Sequence, residues 1–290
     1  MKRVRLDDEL VAQGICVDRA DALRTLMAGD VSARGERLTS PGMMVDPGLP
    51  LHVKGRLPYV GRGGLKLEGA LDAFGVDPSG LACGDIGCST GGFTDCLLKR
   101  GAASVIAVDV GRAQFAWSLR NDERVTLLER TNVVDLPTLG YRACCDLVVC
   151  DVSFTSIAHI IDAVIALLVP GGRFLTLVKP QFEAPASDVG EGGIVRDPIV
   201  RRRVLEHAVD LFSGRGLTPE GVCTSPITGT KGNVEFFLLG RLGSGGETEV
   251  AAARERVLSS IEGWWAHEGL LVPNYYKNEA VGERPGARGS

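Results

Sequence analysis

Four charged side chains stand in or just beyond apolar runs of this chain, and their types suit proton handling. Asp151 ends CDLVVCD, Lys179 ends RFLTLVK, Glu235 lies in the strand-like run NVEFF, and Lys66 sits in GRGGLKL at the start of a helix-like stretch. Ligands of open α/β sheets bind outside the carboxyl ends of the strands, so residues that terminate strands are expected to meet in one pocket. A lysine among carboxylates there can take the proton of a weakly acidic hydroxyl, if burial or a neighbouring cation lowers its pKa.

The segment Asp85 to Phe93 (DIGCSTGGF) follows a strand-like run ending at Ile86, and the next such run, SVIAVDV, carries Asp109 22 residues after Gly87. A strand, a glycine-rich turn and a second strand ending in a carboxylate make a pocket for an adenosine-bearing cofactor. Gly87, Gly91 and Gly92 remove Cβ atoms, so a ligand can lie against the backbone. An acid at Asp109 can hold both ribose hydroxyls. The spacing D-x-G-x-x-x-G-G differs from the G-x-G-x-x-G of pyrophosphate-binding turns, which favours S-adenosyl-L-methionine, a cofactor without phosphate. The residues expected to bind it are Asp85, Gly87, Ser89, Thr90, Gly91, Gly92, Phe93, Asp109, Val110, Asn132 and Asp151. No G-x-x-x-x-G-K-[ST] occurs, and Lys231 in TGTKGN lacks that spacing, so nucleotide hydrolysis is not expected.

The elements that must position these residues follow from periodicity. From Leu65 onward, continuous Val/Ile/Leu runs alternate with amphipathic stretches, including SIAHIIDAVIALL and a long helix at Val200 to Gly214. That pattern predicts a parallel sheet covered on both faces. Two last strands, near Gly221 to Thr224 and Val234 to Leu239, predict a closing hairpin of the kind found in the methyltransferase version of the Rossmann sheet. Ahead of this lie helix-like segments at Leu6 to Gln13 and Arg19 to Ala28, the second with Ala20, Leu23, Leu26 and Met27 on one face and Gly29 as its stop. Short strands around Val31, Met43 to Val45 and Leu51 to Val53 complete a small α+β module. The expected organisation is a module at 1–54, a linker at 55–59 (KGRLPY around it), an α/β domain at 60–270 and a tail at 271–290. The tail from Glu279 is expected to be disordered, and a helix around Trp264 and Trp265 to pack its aromatics on the body.

Composition narrows the classes. With 290 residues and 44% hydrophobic content the chain can build a proper core. The stretch Ile157 to Val169 is 13 residues long and carries His159 and Asp162, too short and polar to span a bilayer. The charged start MKRVRLDDEL has no apolar centre, which argues against a secretory signal and for a cytoplasmic protein. Eight cysteines without a C-x-x-C pair read as free thiols, and four scattered histidines give no metal site. The net charge of −4 is uneven: residues 1–62 carry ten Lys/Arg against eight Asp/Glu, leaving −6 for the remainder. A slightly basic module on an acidic body suits RNA docking, with Arg3, Arg5, Arg19, Arg24, Arg34 and Arg37 as phosphate-binding candidates among Asp7, Asp8, Asp18 and Asp21.

The blocks GRGGLKL, DIGCSTGGFTDCLL, AVDVG, SLRNDERVTLLERTN, DLVVCDVSF, LVKPQFE, VGEGGIVRDP and GNVEFFL, in this order, resemble those of the TlyA (hemolysin A) family over about residues 3–240. The resemblance implies a Rossmann-like class I methyltransferase domain of FtsJ type. It also implies an N-terminal RNA-binding module like that of small-subunit ribosomal protein S-four, here LDDELVAQGICVDRADALRTLMAGDVSARGE. By the same resemblance the activity is S-adenosylmethionine-dependent 2′-O-methylation of cytidine in 16S and/or 23S ribosomal RNA. The partners are then ribosomal RNA or ribosomal subunits, with no obligate protein partner. The family's Lys-Asp-Lys-Glu tetrad falls on Lys66, Asp151, Lys179 and Glu235. It implies Lys179 as the base, Lys66 as its neighbouring cation, and the two acids as positioning groups.

Local features bear on other acceptors. Methylation of base amines usually employs a [DN]-P-P-[YF] turn, where this chain has Asp151-Val-Ser-Phe154. Carbon methylation needs a thiolate, and Cys150, adjacent to Asp151 on a strand, is expected to face the other way. Oxygen is therefore the favoured acceptor. The rival readings are a non-catalytic RNA-binding or ribosome-assembly protein, against which the intact tetrad speaks, and a pore-forming hemolysin, against which the lack of a spanning segment speaks.

Overall fold

A computed structural model describes residues 3–13, 15–33, 36–49, 51–55, 58–112, 114–243 and 246–268, the last five and Thr230 in backbone only. Arg34, the tail at 271–290 and the side chains of Trp264 and Trp265 lie outside the described residues. The chain divides into two compact units, Met1–Gly64 and Leu65–Ser290. The division thus falls after the 55–59 stretch read as a linker.

The first unit runs β1 (Val4–Arg5), α1 (Leu6–Ala12), α2 (Arg19–Ala28), β2 (Val31–Ala33), β3 (Glu36–Arg37), β4 (Met44–Val45) and β5 (His52–Val53). Leu6 and Leu10 of α1 bury against Leu26, Val31, Val45 and Val53, a core small enough that each position counts. Asp18 caps α2 by accepting from Asp21 N at 2.7 Å, which satisfies one of the orphan donors of the first turn. The buried face of α2 differs from expectation. Ala22, Thr25 and Leu26 face inward with Asp21, whereas Met27 is 83% exposed. Two polar residues tolerate that inward face because they are bonded: Asp21 accepts from Val17 N and the Thr25 hydroxyl donates to Asp21 O. Strands β1 and β3, two residues each, are too short to show a period in sequence.

The second unit contains α3 (Gly63–Phe74, opening at the division), β6 (Ala82–Ile86), α4 (Gly92–Lys99), β7 (Ser104–Asp109), α5 (Trp117–Arg120), β8 (Val125–Glu129) and β9 (Cys145–Cys150). It continues with α6 (Ile161–Leu167), β10 (Leu168–Val178), α7 (Pro180–Glu183), α8 (Pro198–Gly214), β11 (Leu217–Thr224), β12 (Phe236–Leu242) and α9 (Glu247–Glu268). The stretch read as one helix from Ser156 is a 3₁₀ turn at Ile157–His159 followed by α6. Seven strands form one sheet in the order β11-β12-β10-β9-β6-β7-β8. All neighbours from β10 to β8 are parallel, and β12 is antiparallel to both β10 and β11. The expected Rossmann-like sheet with its closing hairpin is therefore present.

Helices cover both faces, as continuous apolar strands require. On one face Phe93 of α4 stacks on Phe237 of β12 with centroids 6.2 Å apart. On the other, Phe212 of α8 stacks on Phe174 of β10 at 5.2 Å. Phe174, Phe212 and Phe237 are fully buried, each worth about 1.5–3 kcal/mol of transfer energy. This packing holds β6, β9 and β10 rigidly side by side, so the residues that succeed each strand line up along one edge. Among the described residues no helix is long and apolar enough to cross a membrane.

Candidate active site

Asp109, Gly87, Asp151 and Lys179 mark the ends of β7, β6, β9 and β10 in sheet order, and Glu235 immediately precedes β12 rather than lying in it. Because β12 is antiparallel to β10, its first residues return to the edge where β10 ends, with Phe236 paired to Val178. Lys66 comes to the same place from the first turns of α3. An open cleft of about 470 Å³ is lined by Lys66, Gly87, Asp151, Lys179 and Glu235, joined by Ser89, Ser153, Phe154, Gln181, Phe182, Gly192, Gly193, Lys231 and Asn233. All four tetrad candidates thus share one cavity.

The four form two separate ion pairs. Lys66 Nζ lies 2.6 Å from Glu235 Oε2, with the side chains only 12% and 3% exposed. Lys179 Nζ lies 2.5 Å from Asp151 Oδ1 and donates to Ser153 Oγ at 2.8 Å. Lys179 Nζ is thus held between the Asp151 carboxylate and the Ser153 hydroxyl. Removing one member of a buried pair strands the other charge, so these pairs are mutually dependent. Lys66 therefore answers to Glu235, whereas sequence had expected both acids to position both lysines.

Residues missed in sequence build the frame. Gln181 Nε2 donates to Glu235 Oε1 at 3.4 Å. A Cβ at Gly229 would collide with the Glu235 carboxylate, so only glycine leaves that carboxylate its seat. Glu183 accepts from Ser156 Oγ at 2.6 Å and Ile157 N at 2.9 Å, fastening the loop that carries Ser153 and Phe154 to α7. Phe154 is 91% exposed with φ 63, a left-handed conformation rare for an aromatic residue. Its ring sits 5.1 Å from that of Phe182. Asn233, 3% exposed, donates to Gly193 O and accepts from Val195 N, tying the glycine-rich loop of VGEGGIVRDP to the approach of β12. Positive φ at a bulky residue and a buried amide are structural facts that no spacing in sequence announces.

The glycine turn behaves as its composition demands. Gly87 has φ 82, and a Cβ there would stand 2.9 Å from the Asp151 carbonyl oxygen. Gly87 N and Cys88 N both donate to Val108 O, and Asp151 N donates to Ile86 O at 2.9 Å. Asp109 accepts from Ser89 N at 2.8 Å and Gly111 N at 2.6 Å, so its two oxygens are aimed by the backbone and retain lone pairs for a diol. These groups fit an adenosine-bearing sulfonium. Ser89, at φ 48, shares a shallow recess with Asp109, Gln114, Phe115 and Glu129.

Two other residues expected at the cofactor, Asp85 and Phe93, lie in the interior. Asp85 is fully buried and accepts from Thr94 Oγ1 at 2.6 Å, and burial pushes its carboxyl up to about 7 against that hydrogen bond. It props the turn and has no exposed atom. Phe93 is likewise buried, in the stack on Phe237. Thr90 O accepts from Ala116 N, Gly91 (φ 94) caps α4, where Gly92 begins, Val110 is exposed, and Asn132 accepts from Val134 N. Cys150 is wholly buried, and burial pushes its thiol up to about 12, which suits core packing and not a thiolate nucleophile.

Among the described residues of the first unit, the candidate arginines are already engaged. Arg3 pairs with Asp46 at 3.3 Å, Arg5 and Arg19 both clamp the buried Asp7, Arg24 pairs with Asp21, and Arg37 donates to the Gly29 and Ala28 carbonyls. Arg5 before all else, then Arg19, holds the Asp7 carboxyl down at about 2.

Residues 59–242 match the profile of the FtsJ-like methyltransferase family. The chain is 48% identical over 239 residues to YqxC of Bacillus subtilis, named as an rRNA methyltransferase, covering 82% of this chain and 85% of that protein. It is 43% identical over 239 residues to the 16S/23S rRNA (cytidine-2′-O)-methyltransferase TlyA of Mycobacterium tuberculosis, covering 82% and 89%. A solved structure from Streptococcus thermophilus, described as a hemolysin, is 37% identical with a TM-score of 0.64, covering 93% of this chain and 99% of that one. The chain belongs to the FtsJ-like methyltransferases and, within them, to the TlyA (hemolysin A) family of S-adenosylmethionine-dependent enzymes.

Proposed function

We propose that the enzyme methylates the ribose 2′-oxygen of a cytidine in ribosomal RNA, with the RNA held by the first unit and the reaction performed in the cleft of the second. The observation that carries this reading is the pair of buried lysine–carboxylate contacts, Lys66–Glu235 and Lys179–Asp151, at the mouth of the glycine turn. S-adenosyl-L-methionine, when bound, supplies a methyl group made electrophilic by the sulfonium. Asp109 would hold its ribose diol, and Gly87 and Ser89 would lie along it.

A 2′-hydroxyl is a weak acid and a poor nucleophile, so orientation and proton removal are what the protein must add. Ser153 and Asp151 aim Lys179 Nζ into the cleft. In its amine form Lys179 takes the hydroxyl proton as the new C–O bond forms and the C–S bond breaks. Glu235 fixes Lys66, whose cation offsets negative charge growing on the oxygen. The exposed ring of Phe154 offers a flat apolar surface to the entering nucleotide.

Docking falls to arginines of the first unit, including Arg34. Exposed pairs such as Arg3–Asp46 contribute little to folding, so a phosphate can replace the carboxylate at small cost. Ribosomal RNA or the assembled subunit is the partner, without an obligate protein partner, and the cytoplasm is the compartment. Mass-spectrometric mapping of ribosomal RNA from cells with and without this protein tests the reading. One or more 2′-O-methylcytidines should vanish in its absence; an unchanged methylation map would refute it.

A further inference from the structure

We propose that Gln181 reads the acceptor base, its amide oxygen accepting a hydrogen bond from the exocyclic amine of the target cytosine; this rests on the ribose-methylation reading above. Gln181 lies two residues after Lys179, on α7, and lines the cleft. The orientation of its amide is fixed by chemistry. Glu235 Oε1, a carboxylate oxygen, only accepts, so the group facing it at 3.4 Å must be the Nε2 donor. The amide oxygen is thereby turned to the other side, where it is buried and has no hydrogen-bond partner among the described residues. A buried acceptor left unmatched is costly, and in a binding cleft the missing donor is expected to come with the ligand.

The donor belongs to the acceptor nucleotide and not to the methyl donor. Gln181 sits on α7 directly after β10, two strands from β6 and its glycine turn, a separation of about 10 Å at the usual strand spacing, and its amide nitrogen points further out still, to Glu235 at the entry to β12. Within a cytidine of an RNA chain the hydrogen donors are the 2′-hydroxyl and the exocyclic amine. The hydroxyl has one hydrogen, and in the reaction that hydrogen is directed to Lys179. The amine remains. A uracil at the same edge presents a carbonyl, setting acceptor against acceptor, so the same contact rejects uridine.

The test uses the full-length enzyme and ribosomal RNA reconstituted with one of three nucleotides at the mapped acceptor: cytidine, its analogue with hydrogen in place of the amine (pyrimidin-2-one riboside), or uridine. Wild-type kcat/KM is expected to fall about tenfold on loss of the amine and further with uridine. Gln181→Met should flatten the series to within about twofold and leave the Kd for S-adenosylmethionine unchanged. Equal rates of the wild type on cytidine and the pyrimidinone would overturn the proposal without any recourse to the variant. So would a Gln181→Met enzyme that keeps the full ranking, or one whose Kd for the methyl donor weakens while the ranking persists, which would assign the oxygen to the cofactor. If cytidine itself gains no 2′-O-methyl, the parent reading fails instead.

Discussion

The same kinds of side chain, lysine or arginine against carboxylate, make the contacts of both units, yet burial suits them to different uses. In the first unit the cationic partners are exposed: Arg3 63%, Arg19 54% and Arg24 69% of the side chain. The Arg3–Asp46 pair, exposed on both sides, is worth about 0–1 kcal/mol and is screened by salt, so it can trade its carboxylate for a phosphate, whereas Arg19 and Arg24 answer to the buried Asp7 and Asp21. In the cleft, Lys179 and Lys66 are 8% and 12% exposed and cannot be traded. A buried cation is held in one place, which a reaction needs and a docking surface does not.

The largest effect is expected in the cleft. Lys179→Arg keeps the charge but cannot yield an amine, so kcat should fall by about 10²–10⁴-fold while the Kd for S-adenosylmethionine moves little. Single-turnover transfer beside calorimetric titration reads both; an active Lys179→Arg would assign the proton to another acceptor.

Next comes the frame. Gly229→Ala forces the Glu235 carboxylate out of its seat and unpairs Lys66, which at ångström-scale misplacement costs about 10²-fold in kcat. Wild-type turnover in that variant would show that the Lys66–Glu235 geometry is not needed.

Docking should respond more weakly. Arg3→Glu with Arg24→Glu should raise the KM for RNA several-fold, leave kcat at saturation unchanged and reduce the salt slope of binding by about one for each phosphate no longer neutralised. A KM and slope equal to wild type would move RNA docking away from these arginines.

The smallest effect concerns stability alone. The folded-state carboxyl of Asp7 lies at about 2, below its unfolded value near 4, so its contribution is present above pH ~4 and is lost as pH falls toward 2. Asp7→Asn should therefore lower stability at pH 7 by about 1–2 kcal/mol, with the difference shrinking as pH falls through about 2. Denaturant titrations across that range decide it, and a gap between the two proteins that is constant with pH would rule out the linkage.

What could be read beforehand divides along a physical line. The parallel sheet, the glycine turn and the strand-end positions of Asp109, Asp151 and Lys179 were legible because each rests on local periodicity or on one residue's place in a run. Glu235 was found by its run, although it precedes the strand. The face of α2 was misjudged because Asp21 and Thr25 are made compatible with burial by hydrogen bonds, and hydrophobicity alone does not register those bonds. Gly229, Gln181, Glu183 and Asn233 were missed since each acts through a partner distant in sequence, Gln181 and Glu235 being 54 residues apart. Arginine content suggested RNA docking by the first unit; that Arg3, Arg5, Arg19 and Arg24 are already paired with carboxylates is visible only in three dimensions.

The central claim is that the methyl group goes to a ribose oxygen, and one substrate tests it directly. Ribosomal RNA carrying 2′-deoxyribose at the acceptor nucleotide alone is incubated with the enzyme and S-adenosylmethionine labelled in its methyl group. The deoxy substrate should bind with nearly the affinity of the native RNA, since phosphate contacts supply most of the docking energy, and should take up no label at that nucleotide. Label appearing at the deoxy nucleotide would mean that the base is the acceptor and that the Lys179 mechanism is wrong.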